Sequence, residues 1–115
     1  MPKLFHLFVI VLMAFMLESC HKDLAIDTAI PSCLNYSLIE LNKTGCSSGA
    51  SLKQYLFQGK MVYCYDPGNC GADMASSVLD SNCNTLGYLG GYDGNTKING
   101  VDFATAVLVK VIWHN

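Results

Sequence analysis

Cysteine and histidine are the side chains in this 115-residue chain with the greatest capacity for nucleophilic chemistry. A nucleophilic thiol needs a base beside it, and after the first twenty residues the only histidines are His21 and His114. Cys64 and His114 could meet across neighbouring strands, but Cys64 lies in an apolar segment, where a buried thiol is usually inert. The sequence therefore favours a protein that is not an enzyme. A small thiol or redox protein using an unpaired cysteine is the alternative.

Five cysteines follow residue 20, and four of them are expected to form disulfides. Disulfides persist in oxidising compartments. Their spacing favours two local bridges, Cys33–Cys46 and Cys70–Cys83. Each would close a loop of about a dozen residues and contribute about 3 kcal/mol. Cys64 is left over and is expected to behave as a small buried hydrophobe. The sequence leaves other connectivities open.

Residues 80–84, Asp-Ser-Asn-Cys-Asn, imitate the first half of a calcium-binding loop, in which oxygen ligands alternate along the chain. The imitation stops there, because Thr85 stands where that loop needs glycine and Gly91 where it needs glutamate. Asp and Asn are also preferred in turns, so the segment is predicted to be a hairpin turn. No metal or other cofactor is predicted, since the cysteines lack zinc-site spacing and the glycines match no phosphate loop.

Aromatic side chains are the best candidates for a binding surface, because they are enriched in binding interfaces. The rings considered are Tyr63, Tyr65, Tyr88, Tyr92 and Trp113. Most of them are expected to fill the core of a small sheet. Tyr92 and Asp93 lie in a glycine-rich segment and are predicted to form the exposed contact.

The first twenty residues predict secretion and lipid anchoring. Lys3 precedes an apolar run over residues 7–17, which is too short for a membrane-spanning helix of about 20 residues. Residues 1–19 are therefore predicted to be a signal peptide. The Leu-Glu-Ser-Cys sequence ending at Cys20 has the form of a lipobox, so Cys20 is expected to carry acyl chains that hold the protein at a bilayer. Ordinary secretory cleavage after Ser19 is the alternative.

Residues 20–29 are predicted to be a tether. The His-Lys-Asp sequence after Cys20 resembles the tag that directs lipoproteins of Bacteroidota to the outer face of the outer membrane, and a simple solvated tether explains it equally well. The Asp-Thr-Ala sequence around Thr28 resembles the O-glycosylation signal of that phylum, so Thr28 is a candidate for carrying a sugar. The expected location is the cell envelope, with the protein anchored to the outer membrane. If the His-Lys-Asp sequence acts as the tag, the folded part lies at the cell surface.

Charge argues against nucleic acid as a partner. The chain carries seven basic residues, all of them lysine, and nine acidic residues, for a net charge of −2. Nucleic-acid sites need clustered Lys and Arg. The expected partners are a membrane, through the lipid on Cys20, and an unidentified protein or glycan.

Periodicity and turn residues predict the elements that position these side chains. Pro31 suits the first turn of a helix, apolar residues from Cys33 to Leu41 follow at helical spacing, and Gly45 is a plausible stop. Strands are predicted at residues 54–57, 61–65, 77–80, 85–89 and 106–113. The intervening residues 90–100 are predicted to be a loop. The last strand is rich in β-branched residues and is expected to be well buried.

The predicted fold class is α+β, with one N-terminal amphipathic helix packed on an antiparallel sheet of four or five strands. It forms a single domain over residues 30–115. Within the second strand, Met61, Tyr63 and Tyr65 are expected on one face, and Val62 and Cys64 on the other.

The folded part resembles a family of short, uncharacterised lipoproteins of Bacteroidota. The resemblance rests on Cys33, Gln54-Tyr55, Gly59-Lys60-Met61-Val62-Tyr63, Leu79-Asp80, Asn82-Cys83-Asn84, Gly90-Gly91 and Val111-Ile112-Trp113. It implies a shared fold and carries no assigned activity. The sequence thus leads to the expectation of a lipid-anchored binding or accessory domain of the envelope.

Overall fold

The computed structural model describes residues 30–115. The elements of this part are α1 (Leu34–Thr44), β1 (Ser51–Phe57), β2 (Lys60–Asp66), β3 (Ala75–Leu79), β4 (Thr85–Gly90), β5 (Lys97–Ile98), β6 (Val101–Asp102), a 3₁₀ turn (Phe103–Thr105) and β7 (Val107–His114). The predicted signal peptide, the tether, Cys20 and Thr28 lie outside the described residues. No helix within residues 30–115 is long and apolar enough to cross a membrane.

Five strands form one antiparallel sheet in the order β4-β3-β2-β1-β7. A helix precedes this sheet, so an α+β domain with a five-stranded antiparallel sheet is confirmed. The two-stranded sheet β5-β6 was not predicted, because it lies within the segment expected to be a loop.

Two of the hairpins use the same tight turn. Gln58-Gly59 joins β1 to β2 with φ values of 50° and 74°, and Asn99-Gly100 joins β5 to β6 with φ values of 51° and 78°. Positive φ at both central residues is the requirement of a type I′ turn, whose twist matches that of paired strands. The Asn-Gly pair was thus the signal that could have revealed the β5-β6 hairpin.

The large sheet is covered on both faces. The helix face carries the buried side chains of Leu34, Leu41, Ala50, Leu52, Tyr63 and Leu79. The opposite face, which we call the hairpin face, packs Phe57, Val62 and Val78 against Ile98 of β5. Tyr65 packs with the first cluster and Cys64 with the second, which confirms the predicted alternation along β2.

The helix α1 is only weakly amphipathic. Leu34 and Leu41 are buried, but Tyr36 and Ile39 on its other side are 69% and 53% exposed. The helix ends at Gly45, where a β-carbon would stand 2.5 Å from the Leu41 carbonyl oxygen. Only glycine therefore fits at this position, and its backbone is extended rather than left-handed, with φ −65° and ψ 159°.

The predicted disulfide pairing is wrong. Cys33 is bonded to Cys83, and Cys46 to Cys70, with Cα–Cα distances of 6.1 Å and 5.7 Å. The helix lies along the sheet, so Cys33 at its start reaches the turn between β3 and β4. Cys46 after its end reaches the loop between β2 and β3 at the opposite end of the sheet. Proximity along the sequence predicted disulfides that close short loops. The position of the helix on the sheet instead pairs cysteines that are farther apart in the chain.

The predicted burial of the last strand is also wrong. β7 is an edge strand that pairs only with β1 in the large sheet, and Val107 and Leu108 are 61% and 50% exposed. Two register shifts interrupt its pairing, and exposed Lys110 sits in its middle. Bulges and lysines are the usual devices that stop an edge strand from pairing with another chain. The β-branched content indicated a strand, but strand order decided its exposure.

Candidate functional site

Tyr55 and Tyr63 are core side chains, which the sequence did not distinguish from the other tyrosines. Tyr63 is 3% exposed, and its hydroxyl oxygen accepts a hydrogen bond from Gln54 Nε2 at 3.3 Å. Tyr55 packs edge-on against Phe103 with ring centroids 5.2 Å apart. These two rings belong to the core, so the tyrosines available for binding must be sought elsewhere.

Three other tyrosines lie on the helix face around one shallow groove. Tyr36 of α1 and Tyr65 of β2 line it. Tyr65 pairs with Ser77, and Ser77 pairs with Tyr88, so these three side chains form a row across β2, β3 and β4. Directly opposite residues in antiparallel strands have β-carbons about 5 Å apart. Tyr88 therefore extends the ring-lined surface to the outer strand.

Polar groups complete this surface. The cavity has a volume of about 320 Å³ and is lined by Tyr36, Ser37, Glu40, Tyr65, Ser77 and Leu79. We call it, together with Tyr88, the tyrosine groove. Tyr36 and Glu40 are four residues apart and therefore lie on the same side of α1. Two of the rings, Tyr36 and Tyr88, are 69% and 58% exposed.

The helix must be held firmly if it is to form one wall of this groove. Leu34 and Leu41 anchor it in the core with 0% and 1% exposure, and Cys33 attaches its first turn to the turn after β3. Covalent and apolar anchoring fix Tyr36 and Glu40 relative to the sheet. A site built on regular elements is more sharply defined than one on loops.

The groove offers rings, a carboxylate and hydroxyls, which together suit a ligand with both apolar and hydroxylated surfaces. Tyrosine presents an apolar ring and a polar tip, and a small number of placed polar groups fix a ligand's orientation. Tyr36, Glu40 and Tyr88 had not been singled out together from the sequence. The signal was the four-residue spacing of Tyr36 and Glu40, but only the strand register brings Tyr88 beside them.

Tyr92 and Asp93, the predicted contact residues, lie in the turn that follows β4. Tyr92 is 88% exposed, so it is open to a partner. Neither residue lines the tyrosine groove. The structure thus exposes Tyr92 on a loop, while the ring-lined concave surface lies on the helix face.

The thiol of Cys64 is poorly suited to nucleophilic chemistry. Cys64 is free, and burial, followed by the charge of Asp66, raises the pKa of its thiol to about 11. At neutral pH it is therefore protonated, whereas the thiolate is the nucleophile. β1 lies between Cys64 and His114, because both pair with residues of that strand. Two strand spacings separate them by about 10 Å, so His114 cannot act as its base.

The segment resembling a calcium loop forms the β3–β4 turn. The Asp80 carboxylate accepts hydrogen bonds from the backbone N–H groups of Asn82 and Asn84, at 2.8 Å and 2.9 Å. The bond from Asn84 is the main cause that lowers the pKa of Asp80. The carboxylate is thus engaged in stabilising the turn. Within residues 30–115, no three His, Cys, Asp or Glu side chains come together to hold a metal ion.

Comparison with protein families gives a match over most of the chain. A family described as "Domain of unknown function (DUF6970)" matches residues 40–115. The chain belongs to this family. The match includes the whole sheet and most of the tyrosine groove, but it begins at Glu40, so Tyr36 and Cys33 precede it. No curated protein and no solved structure matches the chain.

Proposed function

We propose that this chain is a lipid-anchored binding domain of the cell envelope that binds a glycan through the tyrosine groove. The lipobox-like sequence ending at Cys20 supports the anchor. The row of Tyr65, Ser77 and Tyr88 beside Tyr36 and Glu40 supports the binding role, and it is the single observation on which the proposal rests.

A glycan suits the groove because a sugar has both apolar C–H faces and polar hydroxyl groups. Sugar rings present C–H faces that pack on aromatic rings, and they present hydroxyls that exchange hydrogen bonds with carboxylates and other hydroxyls. Exposed rings at Tyr36 and Tyr88 can take the first surface, while Glu40 and Ser77, which line the same groove, can take the second. A protein partner normally places a large dry anchor at the centre of its interface, and a groove this shallow offers little room for such an anchor.

The test is glycan-array binding by the full chain in detergent micelles. We expect binding that weakens at least tenfold in Tyr36→Ala and in Tyr88→Ala, since each change removes one ring face. Tyr92→Ala is the matched control, because it removes an even more exposed tyrosine outside the groove. The proposal fails if no glycan binds, or if only Tyr92→Ala abolishes binding.

The anchor is tested separately in the producing cells. Labelled fatty acid should be incorporated into the wild-type chain and not into Cys20→Ser. An unlabelled wild-type chain would overturn the anchoring part of the proposal and leave the glycan site to be judged on the array.

A further inference from the structure

A second concavity lies at one end of the sheet, where three hairpin turns meet. Its volume is about 680 Å³, compared with about 320 Å³ for the cavity of the tyrosine groove. Residues of the β1–β2, β3–β4 and β5–β6 turns line it, among them Gln58, Asn82 and Asn99. We call it the turn groove. We propose that the turn groove binds an extended, uncharged peptide segment, independently of the glycan site.

The three turns hold their side chains in place before any ligand arrives. Gln58 and Asn99 sit in two-residue type I′ turns. Asn82 sits in a turn fixed by the Asp80 carboxylate and attached to the helix through Cys83. Binding residues are often carried on loops positioned by a rigid scaffold, and preorganisation lowers the entropic cost of binding. The turn groove has both properties.

Backbone strain at Gln58 is an independent observation that points to the same groove. It adopts φ of 50° at the same turn position at which Asn99 adopts 51° in the other hairpin. Asparagine and glycine favour this conformation, whereas glutamine does not. The β1–β2 turn therefore contains a residue that its backbone conformation disfavours. Strained residues are concentrated at functional sites, and the longer amide of Gln58 lines the groove.

The chemistry of the rim matches a peptide backbone. Gln58, Asn82 and Asn99 each present an amide, which donates and accepts hydrogen bonds as a peptide group does. Lys60 and Asp80 at the same rim carry opposite charges, so they give the groove no net charge. An uncharged ligand with alternating donors and acceptors is the complement of this rim.

The floor distinguishes a peptide from a glycan. Met61 and Leu86, which are both half-buried, supply its accessible apolar surface, since Val62 is only 2% exposed. The one ring that borders it, Phe57, is only 4% exposed and offers no stacking surface. Apolar peptide side chains suit such a floor, and methionine adapts to different shapes. The tyrosine groove has the reverse composition, with exposed rings.

Selection from a phage-displayed library of random heptapeptides on the immobilised full chain tests this inference. We expect enriched clones whose synthetic peptides lose at least tenfold in affinity for Asn82→Ala and for Gln58→Gly, measured by calorimetry. Affinity should be unchanged in Tyr36→Ala, which alters only the tyrosine groove. The inference is overturned if no clone is enriched or if the enriched peptides do not respond to the two turn-groove variants.

Gln58→Asn separates a binding role from a poor turn residue. We expect it to raise Tm, because asparagine tolerates positive φ, and to weaken the selected peptides several-fold, because its amide is one methylene shorter. Asn99→Gln is the matched control and should lower Tm. A raised Tm with unchanged peptide affinity would overturn the role of Gln58, and an unchanged Tm would overturn the argument from backbone strain.

Discussion

The two faces of the sheet are covered by different means. On the helix face, an eleven-residue helix is tied by disulfides near both of its ends, Cys33–Cys83 and Cys46–Cys70. On the hairpin face, β5 and β6 have two residues each and no disulfide holds them. That cover depends on Ile98, which is 1% exposed, and on Phe103, whose ring lies 5.2 Å from those of Tyr55 and Phe57.

The difference shows how a small domain stabilises short elements, here α1 and the β5-β6 hairpin, that would not be stable in isolation. A short helix is marginal in water, and small domains often need covalent constraints. The helix buries only Leu34 and Leu41, and the two disulfides add to the anchoring that these side chains provide. The hairpin inserts one large apolar side chain and needs no such link. Three perturbations test this contrast.

Removing the bridge at the start of α1 should have the largest effect. The double variant Cys33→Ala/Cys83→Ala releases a constraint between residues 50 positions apart. The chain-entropy model gives a loss of about 4 kcal/mol in the free energy of unfolding. Urea denaturation followed by circular dichroism measures it. Cys64→Ala, which removes a free thiol, is the control at neutral pH, and equal midpoints for the double variant and wild type would contradict the expectation.

Shortening the buried side chain of the hairpin should have the next largest effect. Ile98→Ala removes three carbons from a side chain that is 1% exposed, and such changes cost about 3 kcal/mol. Ile39→Ala is the matched control, because Ile39 on α1 is 53% exposed and its truncation should cost less than about 1 kcal/mol. Similar losses in the free energy of unfolding for the two variants would show that Ile98 does not hold the β5-β6 hairpin on the sheet.

The smallest effect should come from ionising Cys64 on the hairpin face. Its thiol has a folded pKa of about 11 against an ordinary value of 9.0. The unfolded chain therefore releases the proton first, so stability is full below pH 9 and falls between pH 9 and pH 11. The loss approaches about 2 kcal/mol at the upper end.

This pH effect is measured as the difference in free energy of unfolding between wild type and Cys64→Ala at pH 8 and pH 10.5. The difference should move in favour of the variant as pH rises. A difference independent of pH would mean that the hairpin leaves the thiol open to water, and it would reopen the thiol-based alternative.

Local signals in the sequence revealed much of this architecture. The β1–β2 and β3–β4 hairpins were predicted because alternating side chains flank short turn sequences, and both features act within a few residues. The alternation also placed Tyr65 and Cys64 on the correct faces. The β5-β6 hairpin was not predicted because strands of two residues show no alternation. Its Asn99-Gly100 turn was nevertheless a recognisable sequence signal.

The candidate sites were less accessible from the sequence. Tyr92 was correctly placed on an exposed loop, but the tyrosine groove joins a helix to three strands through pairings of residues far apart along the chain. The turn groove likewise gathers three separate turns. A single position carries no record of such neighbours. The unusual glutamine before Gly59 was the one local sign of the turn groove.

Residue type and local spacing were thus sufficient to define the turns, the strand faces and the presence of a helix, because each depends on interactions between near neighbours. Disulfide partners, the exposure of β7 and the surroundings of Tyr36 were decided only when the helix and the hairpin packed on opposite faces of the sheet. Packing joins residues that are distant in the chain, and it selects among arrangements that local preferences leave equal in energy.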